Sequence, residues 1–220
     1  FRVNAYFQKG RMAAALRAIP TRVPDPEALR IPEQLLEFVA RPHGLILVVG
    51  PTGAGKTTTL ACLVDRINRT RSCRIITVED PIEYVHPPGK ATIDQREVFS
   101  DTQSFGSALK YILRQDPDVI LVGELRDPET VGAALMAAET GHLVLATLHS
   151  NDAIASVDRI IDMFPTHQQS QARIQLSTGL LAVVSQRLLP RKDKAGGRVA
   201  AFEVLVVSHA IQNLIRESKM

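Results

Sequence analysis

Cysteine is nearly absent: Cys62 and Cys73 are the two in 220 residues, and neither has companions at zinc-ligand spacing. This excludes a disulfide framework and gives no zinc site, and a reducing, cytosolic setting is the simplest reading. Long apolar runs are missing too, since Leu45–Val49 and Val119–Val122 fall far short of the roughly 18 residues of a membrane span. Any membrane role must therefore pass through a partner. Strong charge of one sign is also lacking, because a net charge of +3 and a pI near 9.0 are modest for this length. Two local basic clusters stand out, Arg66, Arg69, Arg71 and Arg74, and then Arg191, Lys192, Lys194 and Arg198 around Gly196-Gly197. No aromatic residues interleave with them for base stacking, so they read as solvated or subunit-facing surface and not as a nucleic-acid track.

With 45% hydrophobic and 22% charged residues, the chain can bury a core and fits one globular domain plus an appendage. Phe1–Tyr6 already reads as a strand, and residues 1–23 are expected to be the tail of a preceding domain. Pro20 to Pro32 holds four prolines in thirteen positions, so residues 24–32 are expected to form a linker. The remaining unit, 33–220, alternates apolar strands with helical segments. Leu45–Val49 precedes Thr57–Asn68, and Ile75–Val78 precedes a helix near Ser104–Leu113. Val119–Val122, Pro128–Glu139 and Leu143–Thr147 continue the pattern. Alternation of this kind predicts an α/β fold with a mostly parallel sheet, whose ligands sit outside the carboxyl ends of the strands. Helical stretches are then expected over Asp152–Met163 and Gln168–Leu188, followed by a strand over Arg198–Val207. A helix over Ile211–Met220 carries no C-cap signal.

The run Gly50-Pro51-Thr52-Gly53-Ala54-Gly55-Lys56-Thr57 meets every fixed position of the phosphate-loop pattern GxxxxGK[ST], between an apolar strand and a helix. Glycines let backbone N–H groups turn toward phosphates, the helix N-terminus adds its dipole, and Lys56 can reach the β and γ phosphates. Thr57 would hold Mg²⁺, and Thr58 completes the nucleotide-binding run. Asp118 to Glu124 is an apolar strand ending in an acid, the form of a Walker B element, and its Glu124 would bind or orient Mg²⁺ and water. A second acidic strand end reads Glu79-Asp80-Pro81-Ile82-Glu83. Since Pro81 stops the strand, these acids are expected on its exit loop. Glu83 is the first choice for the group that activates water, with Glu79 as runner-up. His149 stands at the ligand end of Leu143–Thr147, where it suits a γ-phosphate sensor. His142, at the opposite end, reads as structural or inter-subunit.

These segments, with Leu113–Asp127 and Ala138–His149, resemble the Walker A, Asp box, Walker B and His box of secretion-superfamily ATPases. The similarity is greatest to the type IV pilus retraction branch and runs from Phe1 to Lys219. The resemblance implies a RecA-like P-loop domain behind a small α+β, PAS-like N-terminal domain. It also implies a homo-hexamer hydrolysing ATP with Mg²⁺, cytoplasmic and attached to the inner membrane through a pilus platform protein. In such a family arginines complete a neighbouring site, and the matching contexts here nominate Arg2, Arg96 and Arg114. The branches for assembly and type II secretion typically carry a four-cysteine zinc module, so two cysteines favour retraction. An assembly or secretion motor is the alternative, and a DNA-translocating ATPase is the alternative of another class. Ala210–Glu217 looks like the AIRNLIRE segment of retraction ATPases, departing from it at Gln212. The family's C-terminal helical region and most of its N-terminal domain are expected to lie outside this sequence, which would bind nucleotide yet hydrolyse it poorly.

Overall fold

A computed structural model describes residues 1–20, 22–192 and 197–220. Lys194 and Gly196 of the second basic cluster lie outside these. The chain opens with a hairpin, β1 (Arg2–Gln8) against β2 (Arg11–Arg17). It turns on Lys9 and Gly10, both at positive φ, the two-residue turn whose twist matches paired strands. The strand read over Phe1–Tyr6 is therefore present, and β2 adds a partner that the sequence did not announce.

A seven-stranded sheet follows, ordered β5-β4-β6-β7-β3-β8-β9. Its strands are β3 (Gly44–Val49), β4 (Arg74–Glu79), β5 (Thr92–Glu97), β6 (Val119–Val122), β7 (Leu143–Leu148), β8 (Leu180–Pro190) and β9 (Arg198–Val206). All neighbours pair in parallel except β8 and β9. The expected α/β class with a mostly parallel sheet is thus the fold observed. Side chains alternate faces along a strand. Leu45, Leu47 and Val49 of β3 enter one core, and Ile46 and Val48 the other. The first core lies under α3 (Phe105–Ile112), α4 (Pro128–Glu139), α5 (Ala153–Asp162), α6 (Thr166–Gly179) and α7 (His209–Arg216). The second lies under α1 (Glu33–Phe38) and α2 (Lys56–Thr70). Side-chain oxygens of Ser104, Asp127, Asp152 and Ser208 accept the backbone N–H three residues on, which fixes the starts of α3, α4, α5 and α7.

Two readings of the C-terminal third need correction. The helix expected over Gln168–Leu188 stops at Gly179, and Leu180–Pro190 is a strand beside β3. Its apolar run is buried on both sheet faces, so periodicity could not separate helix from strand. The final helix also has a cap. It ends at Arg216, Ser218 adopts a left-handed φ of 57°, and Lys219 N–H donates to Leu214 O. That is a Schellman closure built on serine where glycine is the usual signal.

Both cysteines are free thiols. Burial pushes Cys62 up to about 12, and its Sγ–H donates to Pro24 O across 2.8 Å. The proline-rich stretch is thereby held against α2, with Arg69 3.7 Å from Asp25. Arg69 also pairs with Asp65, Arg74 pairs with Asp94, and Arg71 donates to Val39 O, so most of the first basic cluster is engaged by the chain's own groups. No helix among the described residues is long and apolar enough to cross a membrane.

Candidate active site

Parallel strands deliver their exits to one edge of the sheet. The Gly50–Thr57 loop after β3, Glu79 at the end of β4, Glu124 after β6 and His149 after β7 all lie on that edge. The loop bends sharply because two of its residues cannot carry a Cβ. At Gly50, with φ 147°, a Cβ would lie 2.3 Å from Gln186 O. At Gly55, which caps α2 at φ 90°, it would lie 2.9 Å from Gln186 Nε2. The N–H groups of the first turn of α2 have no acceptor within the helix and face a prospective anion.

Gln186 on β8 is the support the sequence did not reveal. It is buried, donates from Nε2 to Ala54 O at 2.8 Å and accepts from Thr59 Oγ1 at 2.7 Å. Gln186→Ala leaves both groups unpaired, so a loss of roughly 1–3 kcal/mol of stability is expected. A denaturant titration checks this, and an unchanged midpoint would show that the loop does not lean on this amide.

Lys56 is buried, and its Nζ donates to Gly50 O at 2.8 Å and Pro51 O at 3.0 Å. Burial lowers its pKa from the ordinary 10.5, and the nearby Glu124 carboxylate works in the opposite direction. His149 Nδ1 lies 3.4 Å from this ammonium. An ammonium can only donate, so Nδ1 is the acceptor in this contact, which leaves Nε2 as the ring's donor. That nitrogen is 3.3 Å from Glu124 Oε1. Glu124 itself is held by its neighbours, for Gly123 N–H donates to Val78 O, Thr147 Oγ1–H donates to Gly123 O, and Leu125 N–H donates to Thr147 O. Its other oxygen, Oε2, is 2.7 Å from Arg126, and Arg126 reaches Asp80 Oδ2 at 3.3 Å. The Glu124 hydrogen bond, ahead of the other charges, raises the Arg126 pKa.

The two carboxylates proposed for water activation occupy different settings. Glu79 is the last residue of β4, not part of the exit loop, and is buried. It accepts from Thr77 Oγ1 at 2.7 Å and Gln95 Nε2 at 3.1 Å, while burial raises its pKa. Glu83 lies on the loop and lines a cavity of about 150 Å³ with Arg2, Arg17, Thr58, Pro81 and Tyr84. Arg17 Nη1 is 3.6 Å from its carboxylate. Edge strand β5 pins this loop, since Gln95 Nε2–H donates to Tyr84 O and Glu97 Oε2 accepts from Ile82 N–H. A larger groove of about 520 Å³ touches the phosphate loop at Pro51 and passes His149, Asp152, Asp158 and Arg159.

The nominated arginines separate. Arg2 shares the Glu83 cavity. Arg96 lies on β5 and donates to Gln115 Oε1, and Arg114 is exposed just beyond α3. Three strands stand between β5 and β3, a spacing of roughly 19 Å, so Arg96 stands well away from this chain's own phosphate loop. His142, at the far end of β7, has Nδ1 3.0 Å from Ala137 O at the end of α4. Sequence spacing also held no sign of the contacts of Arg17 with Glu83 and of Arg126 with Asp80, 66 and 46 residues away.

No group of three or more His, Cys, Asp or Glu among the described residues could hold a metal by itself. What stands at the loop is a threonine hydroxyl, Thr57, and one carboxylate, Glu124. That oxygen-poor set fits Mg²⁺, which keeps waters and shares substrate phosphates in place of an all-protein cage.

A family model described as "Type II/IV secretion system protein" matches residues 28–220. The chain is 51% identical over its whole length to a twitching motility protein of Neisseria gonorrhoeae and 49% identical to the type IV pilus retraction ATPase PilT of Pseudomonas aeruginosa. It spans 59% and 63% of those proteins' own lengths. The crystal structure of the pilus retraction motor PilT with bound ADP superposes with a TM-score of 0.96 at 55% identity, covering 100% of this chain and 63% of that one.

Proposed function

The chain belongs to the type II/IV secretion system protein family, and from that premise we propose that it is the ATP-hydrolysing core of a type IV pilus retraction motor. The observation that carries the reading is the arrangement on one sheet edge. A complete phosphate loop meets Glu124 through His149, and its Thr58 shares a cavity with Glu83 and two arginines of the N-terminal hairpin. Whole-chain similarity to twitching and retraction proteins, one solved with ADP, supports the substrate and the direction of work.

In this reading residues 1–23 belong to an N-terminal domain, 24–32 link it, and 33–220 form the ATPase domain. Gly50 to Thr58 cradle the phosphates, and Lys56 turns from the loop carbonyls to meet the β and γ oxygens. Thr57 and Glu124 would hold Mg²⁺, which supplies positive charge to the phosphoryl group when bound. Glu83 takes the proton of the attacking water, being the partly exposed carboxylate beside the loop, whereas Glu79 is committed to Thr77 and Gln95. His149 senses the γ phosphate by exchanging its lysine contact for an oxygen. Arg2 offsets charge on the transferring group from the hairpin side, and Arg96 and Arg114 do so for an adjacent copy in a homo-hexamer. Because nucleotide touches both hairpin and core, its preference for the closed arrangement biases their relative orientation. The motor would act in the cytoplasm on an inner-membrane platform protein.

Deleting the parent gene and counting surface pili by electron microscopy tests the direction of work. Excess pili with lost twitching are expected. Bald cells would assign the chain to assembly.

A further inference from the structure

The Arg126 guanidinium joins two carboxylates that come from different loops of the sheet edge. Nε and Nη2 both lie near Glu124 Oε2, at 2.7 Å each, and Nη1 is 3.3 Å from Asp80 Oδ2. Glu124 is thereby divided. Oε2 is taken by Arg126, and Oε1 faces His149 Nε2 at 3.3 Å, with Lys56 on the ring's other nitrogen. Five side chains, Asp80, Arg126, Glu124, His149 and Lys56, form one line from the loop that carries Glu83 to the phosphate loop. Arg126 and Glu124 are two residues apart on the loop after β6, where their side chains meet at 2.7 Å. The planar fork of arginine can bind both carboxylates with little further ordering, which a single ammonium cannot match.

We propose that Arg126 is a positioning residue for the reaction, fixing the Glu124 carboxylate and tying it to Asp80. This rests on the reading that ATP is hydrolysed at this site. Without the guanidinium, two carboxylates face each other unbridged, and Glu124 Oε2 is free to swing toward the His149–Lys56 pair. Glu124 would then lose the orientation in which it serves metal and water. The consequence falls on turnover and not on nucleotide capture, because Arg126 itself does not line the phosphate loop.

The test is steady-state ATP hydrolysis by the full-length protein, with binding of a fluorescent ATP analogue measured separately. Arg126 is half exposed, so its replacement leaves the core intact. Arg126→Met is expected to lower kcat roughly 10- to 100-fold, the range seen when groups that orient a catalytic ligand are removed, with KM and analogue affinity nearly unchanged. Arg126→Lys should recover part of kcat, and Asp80→Asn, which cuts the far arm alone, should lower it less than Arg126→Met. An unchanged kcat in Arg126→Met overturns the proposal, as does a raised KM at unchanged kcat, which would make Arg126 a nucleotide contact. If Arg126→Met does not fold, loss of kcat in folded Asp80→Asn supports the tie, and wild-type kcat there refutes it. A parent protein that binds the analogue yet never turns ATP over overturns the hydrolytic reading and the proposal with it, an outcome distinct from wild-type turnover that ignores Arg126.

Discussion

Full-length protein carrying Lys56→Ala should release phosphate from ATP at least roughly 10²- to 10³-fold more slowly than the parent, the range expected when one preorganised charge-stabilising donor is removed. Lys56 is well placed for so large an effect. It is 8% exposed, so little water screens its charge. Burial lowers its pKa, but Glu124 opposes that, and the ammonium rests on Gly50 O and Pro51 O at the mouth of the loop. Alanine removes the cation and leaves two carbonyl oxygens facing the phosphates. Turnover within a few fold of the parent would mean that phosphate charge is met elsewhere.

Glu83→Gln should be nearly as damaging, lowering kcat by about 10²- to 10⁴-fold while ATP affinity persists, because the amide keeps the shape but cannot accept water's proton. Glu79→Gln should leave turnover largely intact, since that carboxylate is enclosed by Thr77 and Gln95. Its signature is in stability. Burial, only partly offset by those hydrogen bonds, raises the native pKa above 4.5, so the folded chain keeps a proton that the unfolded chain has released. Stability from this group is complete below 4.5 and is lost as pH rises through the higher native value. Melting of the parent should therefore fall with rising pH in that window relative to Glu79→Gln. Loss of turnover in Glu79→Gln with a normal Glu83→Gln would exchange the two roles.

The phosphate loop and the strands around it were legible because their chemistry permits few sequences. Gly50 and Gly55 sit where a Cβ would strike Gln186, and β3 and β6 are apolar on both faces, as internal parallel strands must be. β8 opens with a similar apolar run, Leu180–Val184, which reads equally as helix, and its pairing with β3 is a contact no local pattern records. β5 escaped because an edge strand reading Thr-Ile-Asp-Gln-Arg-Glu is mostly polar, yet its Gln95 and Glu97 hold the loop bearing Glu83. Gln186, Arg17 and Arg126 were invisible for one shared reason. Each reaches a residue distant in the chain, Ala54, Glu83 and Asp80 in turn, and spacing in sequence carries no trace of those contacts, though Arg126 also binds its near neighbour Glu124.

Retraction driven by hydrolysis at this site is the central claim, and fluorescently labelled pili watched in living cells test it most directly. Cells whose only copy carries Glu124→Gln should extend pili at the parental rate and show almost no retraction events, while the protein itself is present at normal levels. Parental retraction in those cells would contradict the account, because the force would then come from a site other than the one built around Lys56, Glu124 and Glu83.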